Sequence, residues 1–285
     1  MPYSTTAEML KKAQDKNYAI CAFNAENLEM AQAIATGAIE LCAPVIIQTT
    51  PSTVKYAGLE YFCAIAKTAA KNSQVQIALH LDHGDSFELA QSAIEAGYSS
   101  VMIDASYKPF EENIQTTKKV VEFAKSKNIP VEAELGTIGG KEDSTKSAES
   151  LCTDPAEAEI FIAQTRANSL AVAIGTAHGI YKSMPNLDLD RLSEIKEALK
   201  KHKTPLVLHG ATGIPNETIK ECVRRGINKI NFATELRLAY TSAVRQMLAS
   251  DENMIDVKIY SGYARERIKT LVKEKIELSG SAGKG

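Results

Sequence analysis

The sequence lacks the hallmarks of several protein classes. It has no tryptophan, no apolar run long enough to span a membrane, and no charge excess, with 33 basic and 35 acidic residues among 285. So balanced a chain gives no electrostatic reason to bind nucleic acid or an anionic membrane, and we expect neither as a partner. The N-terminal segment has no apolar core, so we expect no secretion signal.

Cysteine is scarce and scattered. The five cysteines are widely spaced, their number is odd, and no Cys-x-x-Cys pair occurs. Several stand in apolar runs, where cysteine behaves as a small hydrophobic residue. We therefore predict reduced, buried thiols rather than metal ligands or disulfides, and a cytoplasmic protein.

Short β-rich segments alternate with longer amphipathic segments along the chain. Eight segments are predicted as strands because their apolar residues run almost continuously, which is typical of parallel strands buried on both faces. They span residues 18–24, 44–50, 75–82, 100–106, 131–136, 169–175, 205–210 and 229–234. Helix-like segments lie between them, such as 88–96, 111–127, 156–166 and 189–201, and Pro109, Pro155 and Pro215 mark helix starts.

The repeated strand–helix unit predicts an α/β protein with one (β/α)₈ TIM barrel over residues 1–280. The alternative is a doubly wound open sheet, but no Gly-x-Gly-x-x-Gly pattern of dinucleotide-binding folds follows the first strand. The small polar residues 281–285 are predicted to form a flexible tail. The polar segment 141–150 is the best candidate for a long mobile loop.

Histidine is concentrated where such a barrel has its active site, at the carboxyl ends of the strands. Four of the five histidines lie at or just after three of these ends, whereas His202 lies between a helix and a strand. Three converging imidazoles predict a zinc site with an open fourth position, and we expect His83, His178 and His209 as ligands. Periodicity alone does not separate His83 from His80; for His80 we favour a supporting or packing role.

Carboxylates accompany these histidines. Asp82, next to His83, is a candidate proton carrier; the alternative is that it orients an imidazole through a hydrogen bond. Asp104 and Glu134 lie inside apolar strands, where an unpaired carboxylate is costly, so they either face the metal or pair with buried basic groups. The segments 210–213 and 231–234 follow the last two strands, where barrels commonly bind phosphate.

With these motifs assembled, the sequence resembles class II fructose-bisphosphate and tagatose-bisphosphate aldolases over residues 3–280. The matching segments include HLDHG at 80–84, VEAELGTIGGKED at 131–143, SLAVAIGTAHGIYK at 169–182, VLHGATGIP at 207–215 and KINFATEL at 229–236. The resemblance implies a zinc-dependent lyase that cleaves fructose or tagatose 1,6-bisphosphate into dihydroxyacetone phosphate and glyceraldehyde 3-phosphate. It also implies a homodimer or homotetramer. Motifs of both branches occur, so both sugars stay candidates.

The resemblance assigns the catalytic groups by position. Asp82 would be the acid/base at the C4 hydroxyl, and Glu142 would move the proton at the carbon beside the ketone. Asp104 and Glu134 would orient the zinc or hold a second divalent metal ion or a monovalent cation. The implied zinc ligands are His83, His178 and His209.

The resemblance places substrate contacts on the segments after the strands. Lys182 would lie near the phosphate of dihydroxyacetone phosphate, and Arg265 would reach the distal phosphate, often in a neighbouring subunit. The implied substrate-binding residues are Asn24, Thr50, Gly179, Lys182, Gly210, Ala211, Thr212, Asn231, Phe232, Ala233, Thr234 and Arg265.

Three alternatives stay open. A Schiff-base aldolase would need a lysine at a strand end, and no predicted strand ends in lysine. A class II aldolase for another phosphorylated sugar would have much the same site. A non-catalytic sugar-phosphate-binding homologue should have lost ligands or proton carriers, yet the three histidines, Asp82 and Glu142 are all present.

Overall fold

The computed structural model describes residues 3–142, 145–147, 151–181 and 185–285. Eight strands within these residues coincide with the eight predicted segments. They are β1 (Ile20–Asn24), β2 (Val45–Thr49), β3 (Ile77–Gly84), β4 (Ser100–Ile103), β5 (Val131–Leu135), β8 (Ser169–Val172), β10 (Leu206–Leu208) and β11 (Ile227–Phe232). All pair in parallel and close into a barrel in the order β1-β11-β10-β8-β5-β4-β3-β2. The predicted (β/α)₈ barrel is confirmed.

A second, small sheet lies beside the barrel. It consists of β6 (Gly139–Glu142), β7 (Thr145–Ser147) and β9 (Ala177–His178) in the order β7-β6-β9. The prediction of a long loop over residues 141–150 is therefore wrong in part, because β6 and β7 form an antiparallel hairpin within it. A polar composition does not exclude a hairpin whose stabilising contacts are hydrogen bonds between backbones.

Helices follow the barrel strands, and one further helix, α1, precedes β1. They are α1 (Thr6–Lys16), α2 (Leu28–Glu40), α3 (Pro51–Ala57), α4 (Leu59–Lys71), α5 (Phe87–Ala96), α6 (Phe110–Lys125), α7 (Pro155–Thr165), α8 (Leu189–Ala198), α9 (Asn216–Arg224), α10 (Thr234–Ser250) and α11 (Val257–Leu278). The proline positions mark helix starts as predicted, because Pro155 begins α7 while Pro109 and Pro215 immediately precede α6 and α9. Among the described residues, no helix combines the length and apolarity needed to cross a bilayer.

The core has two apolar layers, one on each face of the barrel wall. The outer layer fills the space between the strands and the surrounding helices and includes Cys21 and Phe23 of β1. Alternate residues of the same strands point into the barrel, where α1 closes the amino end. That inner layer consists of Met9, Leu10, Ala13, Tyr18, Ile20, Ala22, Ile46 and Ala78.

The last five residues, which composition predicts as a flexible tail, form hydrogen bonds to the turn after α2. The Gly283 and Gly285 backbone N–H groups donate to the carbonyls of Leu41 and Cys42, at 2.9 and 2.8 Å, and Ser281 is buried. The partners lie in the turn after α2, so the order of this segment depends on a tertiary contact that its own sequence does not reveal.

All five thiols are free, in agreement with the prediction that they form no disulfide. Their burial is less uniform than predicted. Cys21, Cys63 and Cys222 are buried, whereas Cys152 is half-buried and Cys42 is exposed.

Candidate metal and substrate site

The end of β3 departs from regular strand geometry, and this break places two functional side chains at the barrel mouth. His83 has a left-handed backbone with φ of 48°. The register between β3 and β4 shifts between Leu81 and Gly84. A regular strand would point Asp82 and His83 to opposite faces, so the break explains how both enter the site.

The three predicted metal-binding histidines converge at the carboxyl end of the barrel. His209 Nδ1 lies 2.9 Å from His83 Nε2. The His178 ring lies 5.0 Å from the His83 ring and 6.0 Å from the His209 ring, measured between centroids. One ring nitrogen from each of the three histidines lies within 4.8 Å of the others, close enough for a single ion to meet all three.

Two of these rings have a carboxylate behind them. Asp104 Oδ2 lies 2.8 Å from His83 Nδ1, and Glu132 Oε1 lies 2.9 Å from His209 Nε2. Each carboxylate can only accept, so it holds a proton on the ring nitrogen that faces it, His83 Nδ1 and His209 Nε2. The inner nitrogens, His83 Nε2 and His209 Nδ1, lie 2.9 Å apart, an arrangement that suits two neutral rings when a cation lies between them. Burial lowers the pKa of His209, which favours the neutral ring. Neutral imidazoles with carboxylates behind them fit a zinc site.

Asp104 and Glu134 face this cluster, as the first of the two predicted alternatives required. Ser106 joins them, because its Oγ donates to Asp104 Oδ1 at 2.7 Å and lies 3.1 Å from Glu134 Oε1. Glu134 Oε2 lies 3.6 Å from His209 Nδ1. Burial raises the pKa of Asp104, but hydrogen bonds from His83 and Ser106 outweigh it and bring that pKa to about 2. His83, Asp104 and Glu134 form a second potential metal-binding group.

His80 lies one layer deeper in the barrel than the histidine cluster and is fully buried. Its Nδ1 lies 2.8 Å from Ser100 Oγ, which in turn lies 2.7 Å from Thr6 Oγ1 on α1. Its Nε2 is 3.8 Å from Glu132. This placement agrees with the supporting role that we favoured for His80.

Asp82 is buried and held by two amides. Asn24 Nδ2 donates to its Oδ2 at 2.8 Å, and Asn231 Nδ2 donates to its Oδ1 at 3.0 Å. Gln48 Nε2 donates to Asn24 Oδ1 at 2.8 Å and so fixes the first amide. Gln48 was not among the predicted site residues. Its signal was a polar side chain that follows three apolar residues of the strand and lies two residues beyond Ile46.

A pocket adjoins His178 and brings together seven of the predicted substrate-binding residues. They are Gly179, Gly210, Ala211, Thr212, Asn231, Ala233 and Thr234. The side-chain oxygen of Asn231 has no hydrogen-bond partner among the described residues, so it can accept a hydrogen bond from a ligand. Arg237 also lines this pocket, one turn of α10 beyond Thr234, and was not predicted. It forms an ion pair with Glu26.

Hydrogen bonds of the Tyr181 hydroxyl connect the loops after β8 and β10 beside this pocket. The Tyr181 hydroxyl accepts a hydrogen bond from the Ala177 N–H at 2.8 Å and donates to the Gly210 carbonyl at 2.9 Å. Gly210 has φ of 68°, and a Cβ there would lie 2.5 Å from the Ala177 carbonyl oxygen. Only glycine fits so close an approach of two backbones.

Three other predicted substrate residues, Phe232, Thr50 and Arg265, do not line the pocket. The Phe232 side chain points into the outer core and stacks on Phe23 at 5.6 Å, so any substrate contact from this position would be through its backbone. Thr50 is buried at the start of α3. Arg265, on α11, donates to Gln32 of α2 at 2.9 Å. Lys182 lies outside the described residues.

The backbone of Glu142 ends β6, and its side chain lies outside the described part of the chain. β6 pairs in parallel with β9, and Gly140 lies opposite His178. Gly140 has φ of 97°, and a Cβ there would lie 2.3 Å from the His178 carbonyl oxygen. Strand β6, which ends in Glu142, is therefore held by backbone pairing next to the segment that contains His178.

Comparisons with known proteins match nearly the whole chain. Residues 4–284 match the family model described as fructose-bisphosphate aldolase class-II. The chain is 42% identical over 289 aligned residues to the fructose-bisphosphate aldolase of Staphylococcus aureus, and the alignment covers all of this chain and 99% of that protein.

Solved structures agree with the barrel architecture. The crystal structure of the YdjI aldolase from Escherichia coli K12 superimposes with a TM-score of 0.87 at 35% identity, over 99% of each chain. The fructose-bisphosphate aldolase of Campylobacter jejuni superimposes with a TM-score of 0.83 over 98% of this chain and 95% of that one, and at 20% identity it supports the fold alone. Family model, curated relatives and site geometry agree: the chain belongs to the class II fructose-bisphosphate aldolases, which are lyases.

Proposed function

We propose that the protein is a zinc-dependent aldolase that reversibly cleaves a ketose 1,6-bisphosphate into dihydroxyacetone phosphate and glyceraldehyde 3-phosphate. The observation that carries this proposal is the convergence of His83, His178 and His209 beside the glycine-lined pocket. A zinc ion held by these three imidazoles would supply Lewis-acid stabilisation of the negative charge that develops on the ketone oxygen.

Asp82 is proposed as the acid/base at the C4 hydroxyl. In cleavage its carboxylate takes the hydroxyl proton, the C3–C4 bond breaks, and the new aldehyde leaves. The amides of Asn24 and Asn231 hold the carboxylate in a fixed orientation for this transfer. Asp82 is not among the groups whose ligand atoms converge on the metal, which supports a proton-transfer role.

Glu142 is proposed to return a proton to the carbon beside the ketone, which completes dihydroxyacetone phosphate. Its position at the end of β6, paired through β9 with the His178 segment, supports this assignment. The pocket lined by Gly179, Gly210 and Thr212 is proposed to bind the adjacent phosphate through backbone N–H groups and the Thr212 hydroxyl.

A second cation site is proposed at His83, Asp104 and Glu134, whose ligand atoms also lie within 4.8 Å of one another. Oxygen ligands of this kind suit a divalent ion such as Mg²⁺ or a monovalent cation. Metal analysis after dialysis into buffers that contain Mg²⁺ or K⁺ would test it. Binding that survives Asp104→Asn unchanged would argue against the site.

The sugar preference is tested by a coupled assay that compares cleavage of fructose and tagatose 1,6-bisphosphates. The two epimers differ only at C4, so one active enzyme preparation with two substrates isolates the stereochemical choice. Cleavage of either substrate supports the proposed reaction. Failure to cleave both, in zinc-loaded protein that still exchanges the α-proton of dihydroxyacetone phosphate, would favour another phosphorylated sugar.

A Schiff-base mechanism would require an accessible amine in the barrel. Lys229 lies in the barrel interior, but it is fully buried and its ammonium contacts both oxygens of Glu132. It is therefore not available to a ketone. Borohydride added with substrate should leave activity intact, because only an imine would be reduced to a stable adduct.

A homodimer or homotetramer is proposed as the active assembly. Exposed apolar side chains before and in the first turn of α11 support a contact surface there: Ile255, Val257 and Ile259 are 90%, 56% and 50% exposed. Light scattering at assay concentration tests the proposal, and a fully active monomer would refute it.

A further inference from the structure

A buried ion pair lies in the barrel interior below the three histidines. Lys229 Nζ lies 2.8 and 3.0 Å from the two oxygens of Glu132, and both side chains are almost completely closed to solvent. Lys229 belongs to β11 and Glu132 to β5, strands that are not neighbours in the barrel, so the pair crosses the interior. A buried ion pair is often no more stabilising than apolar side chains of similar size, which suggests a role besides stability.

Glu132 also contacts a predicted zinc ligand. Its Oε1 lies 2.9 Å from His209 Nε2 and accepts the N–H there. The proton of the neutral ring is thus held on Nε2, and the Nδ1 lone pair is directed at His83 Nε2, 2.9 Å away. Glu132 therefore selects which His209 nitrogen is free to bind a metal.

Lys229 in turn fixes the orientation of this carboxylate. The other groups near Glu132 hold it more weakly, since Ser169 Oγ lies at 3.5 Å and His80 Nε2 at 3.8 Å. Lys229 approaches both oxygens from the β11 side, so the carboxylate cannot turn away from His209 without losing a charge-assisted hydrogen bond.

We propose that Glu132 and Lys229 are positioning residues for the metal centre. Lys229 orients Glu132, and Glu132 holds His209 in the tautomer and ring orientation in which Nδ1 binds zinc. The inference rests on the proposed zinc site and extends it to two residues that touch neither substrate nor metal. Removal of such hydrogen-bond partners behind a ligand typically weakens metal binding about 10–100-fold.

Two double variants separate positioning from folding. Glu132→Met/Lys229→Met removes the pair without leaving an unpaired buried charge, and it also removes the acceptor for His209. Glu132→Gln/Lys229→Met removes the same charges but keeps an amide oxygen that His209 can donate to. The two proteins differ only at position 132, in a side chain of similar length.

The readout is the zinc dissociation constant of the holoenzyme, measured by competition with a chromophoric chelator. We expect about 10–100-fold weaker binding in the Glu132→Met double variant. The Glu132→Gln double variant should recover only part of this loss, because its amide oxygen can accept the His209 N–H but has no Lys229 to orient it. Wild-type affinity in both would overturn the inference, as would equal loss in both, and full recovery in the Glu132→Gln double variant would overturn the role of Lys229. Wild-type protein that binds no zinc would overturn the zinc proposal, a distinct failure that removes the basis of this inference as well.

A matched control removes another enclosed ion pair. Lys275 Nζ lies 2.8 Å from Glu235 Oε2, with side chains 13% and 17% exposed, and neither contacts the histidine cluster. Glu235→Gln/Lys275→Met should leave zinc affinity unchanged. A parallel loss of zinc affinity in this control would show that loss of any such pair weakens binding, which would overturn the specific role of Glu132.

A measurement on the wild-type holoenzyme does not depend on whether the variants fold. In protein with ¹⁵N-labelled histidine, long-range ¹H–¹⁵N spectra identify which ring nitrogen bears the proton. We expect His209 protonated at Nε2, and the assignment is made by comparison with His209→Ala. Protonation at Nδ1 in the zinc-loaded protein would contradict the inference.

Discussion

The same strands line both ends of the barrel interior, but their inward side chains are apolar at one end and polar at the other. Along β1, the inward residues change from Ile20 and Ala22 at the amino end to Asn24 at the carboxyl end. β2 changes from Ile46 to Gln48 in the same direction. The amino end is apolar and is covered by α1, whereas the carboxyl end holds amides, carboxylates and imidazoles.

β3 makes the same transition over three inward positions, from Ala78 through His80 to Asp82. Burial of apolar surface at one end stabilises the fold. Polar groups buried at the other end cost free energy unless they are hydrogen-bonded. Their presence there therefore indicates a role in the site rather than a contribution to stability. Substitutions at the amino end should therefore change stability, and those at the carboxyl end should change zinc binding or turnover.

The largest expected effect is the loss of a histidine of the cluster. His83→Ala, His178→Ala and His209→Ala should each lose bound zinc and reduce cleavage to background, because a catalytic zinc site typically has three protein ligands and each variant removes one of them. Zinc content by mass spectrometry and the coupled cleavage assay check this. Near-normal cleavage by any of the three in metal-free form would refute the assignment.

Asp82→Ala should keep zinc and fold while turnover falls about 10²–10⁴-fold, the usual contribution of a general acid–base group. Glu142→Ala should instead slow exchange of the α-proton of dihydroxyacetone phosphate with solvent. Deuterium exchange without any aldehyde separates the two roles. If Asp82→Ala stops the exchange and Glu142→Ala does not, the two carboxylates are assigned the wrong way round.

At the amino end, Leu10→Ala should lower the free energy of unfolding by about 2–5 kcal/mol, since it opens a cavity between α1 and the barrel. Turnover per folded molecule should be unchanged. Lys11→Ala, on the exposed face of the same helix, is the control and should have little effect on stability. Denaturant unfolding and kcat, measured on the same samples, show whether the substitution changes stability, turnover or both. A large fall in kcat for Leu10→Ala would contradict the claim that amino-end substitutions change stability alone.

The smallest expected effect belongs to Gln48, which acts on Asp82 only through Asn24. Gln48→Met removes one hydrogen bond to Asn24, worth about 0.5–1.5 kcal/mol, so turnover should fall by no more than about tenfold. Stability should change little, because the replacement is apolar and of similar length. A loss as large as that of Asp82→Ala would mean that Gln48 has a more direct role.

The sequence predicts the features of the fold that repeat. Continuous apolar runs locate all eight barrel strands, and the positions of His83, His178 and His209 after those runs locate the histidine cluster. Both follow from local patterns, since buried parallel strands and their carboxyl ends are recognisable within a few residues.

The missed features depend on contacts between distant segments. The pairing of Lys229 with Glu132 joins residues 97 positions apart across a closed barrel, and no local pattern reports it. The C-terminal residues Gly283 and Gly285 donate hydrogen bonds to the turn after α2, far away in the sequence. Arg237 lines the pocket because α10 starts at Thr234, which places Arg237 one turn into the helix. Such contacts can be identified only when the strand order and the helix positions in the folded structure are known.

The most direct test of the central claim is a metal titration of the purified protein with cleavage of ketose bisphosphate as readout. The account predicts tightly bound zinc at the three histidines, loss of cleavage when a chelator removes it, and recovery when Zn²⁺ is restored. Metal-free protein that cleaves the substrate at the full rate, and is inactivated by borohydride in the presence of substrate, would contradict it.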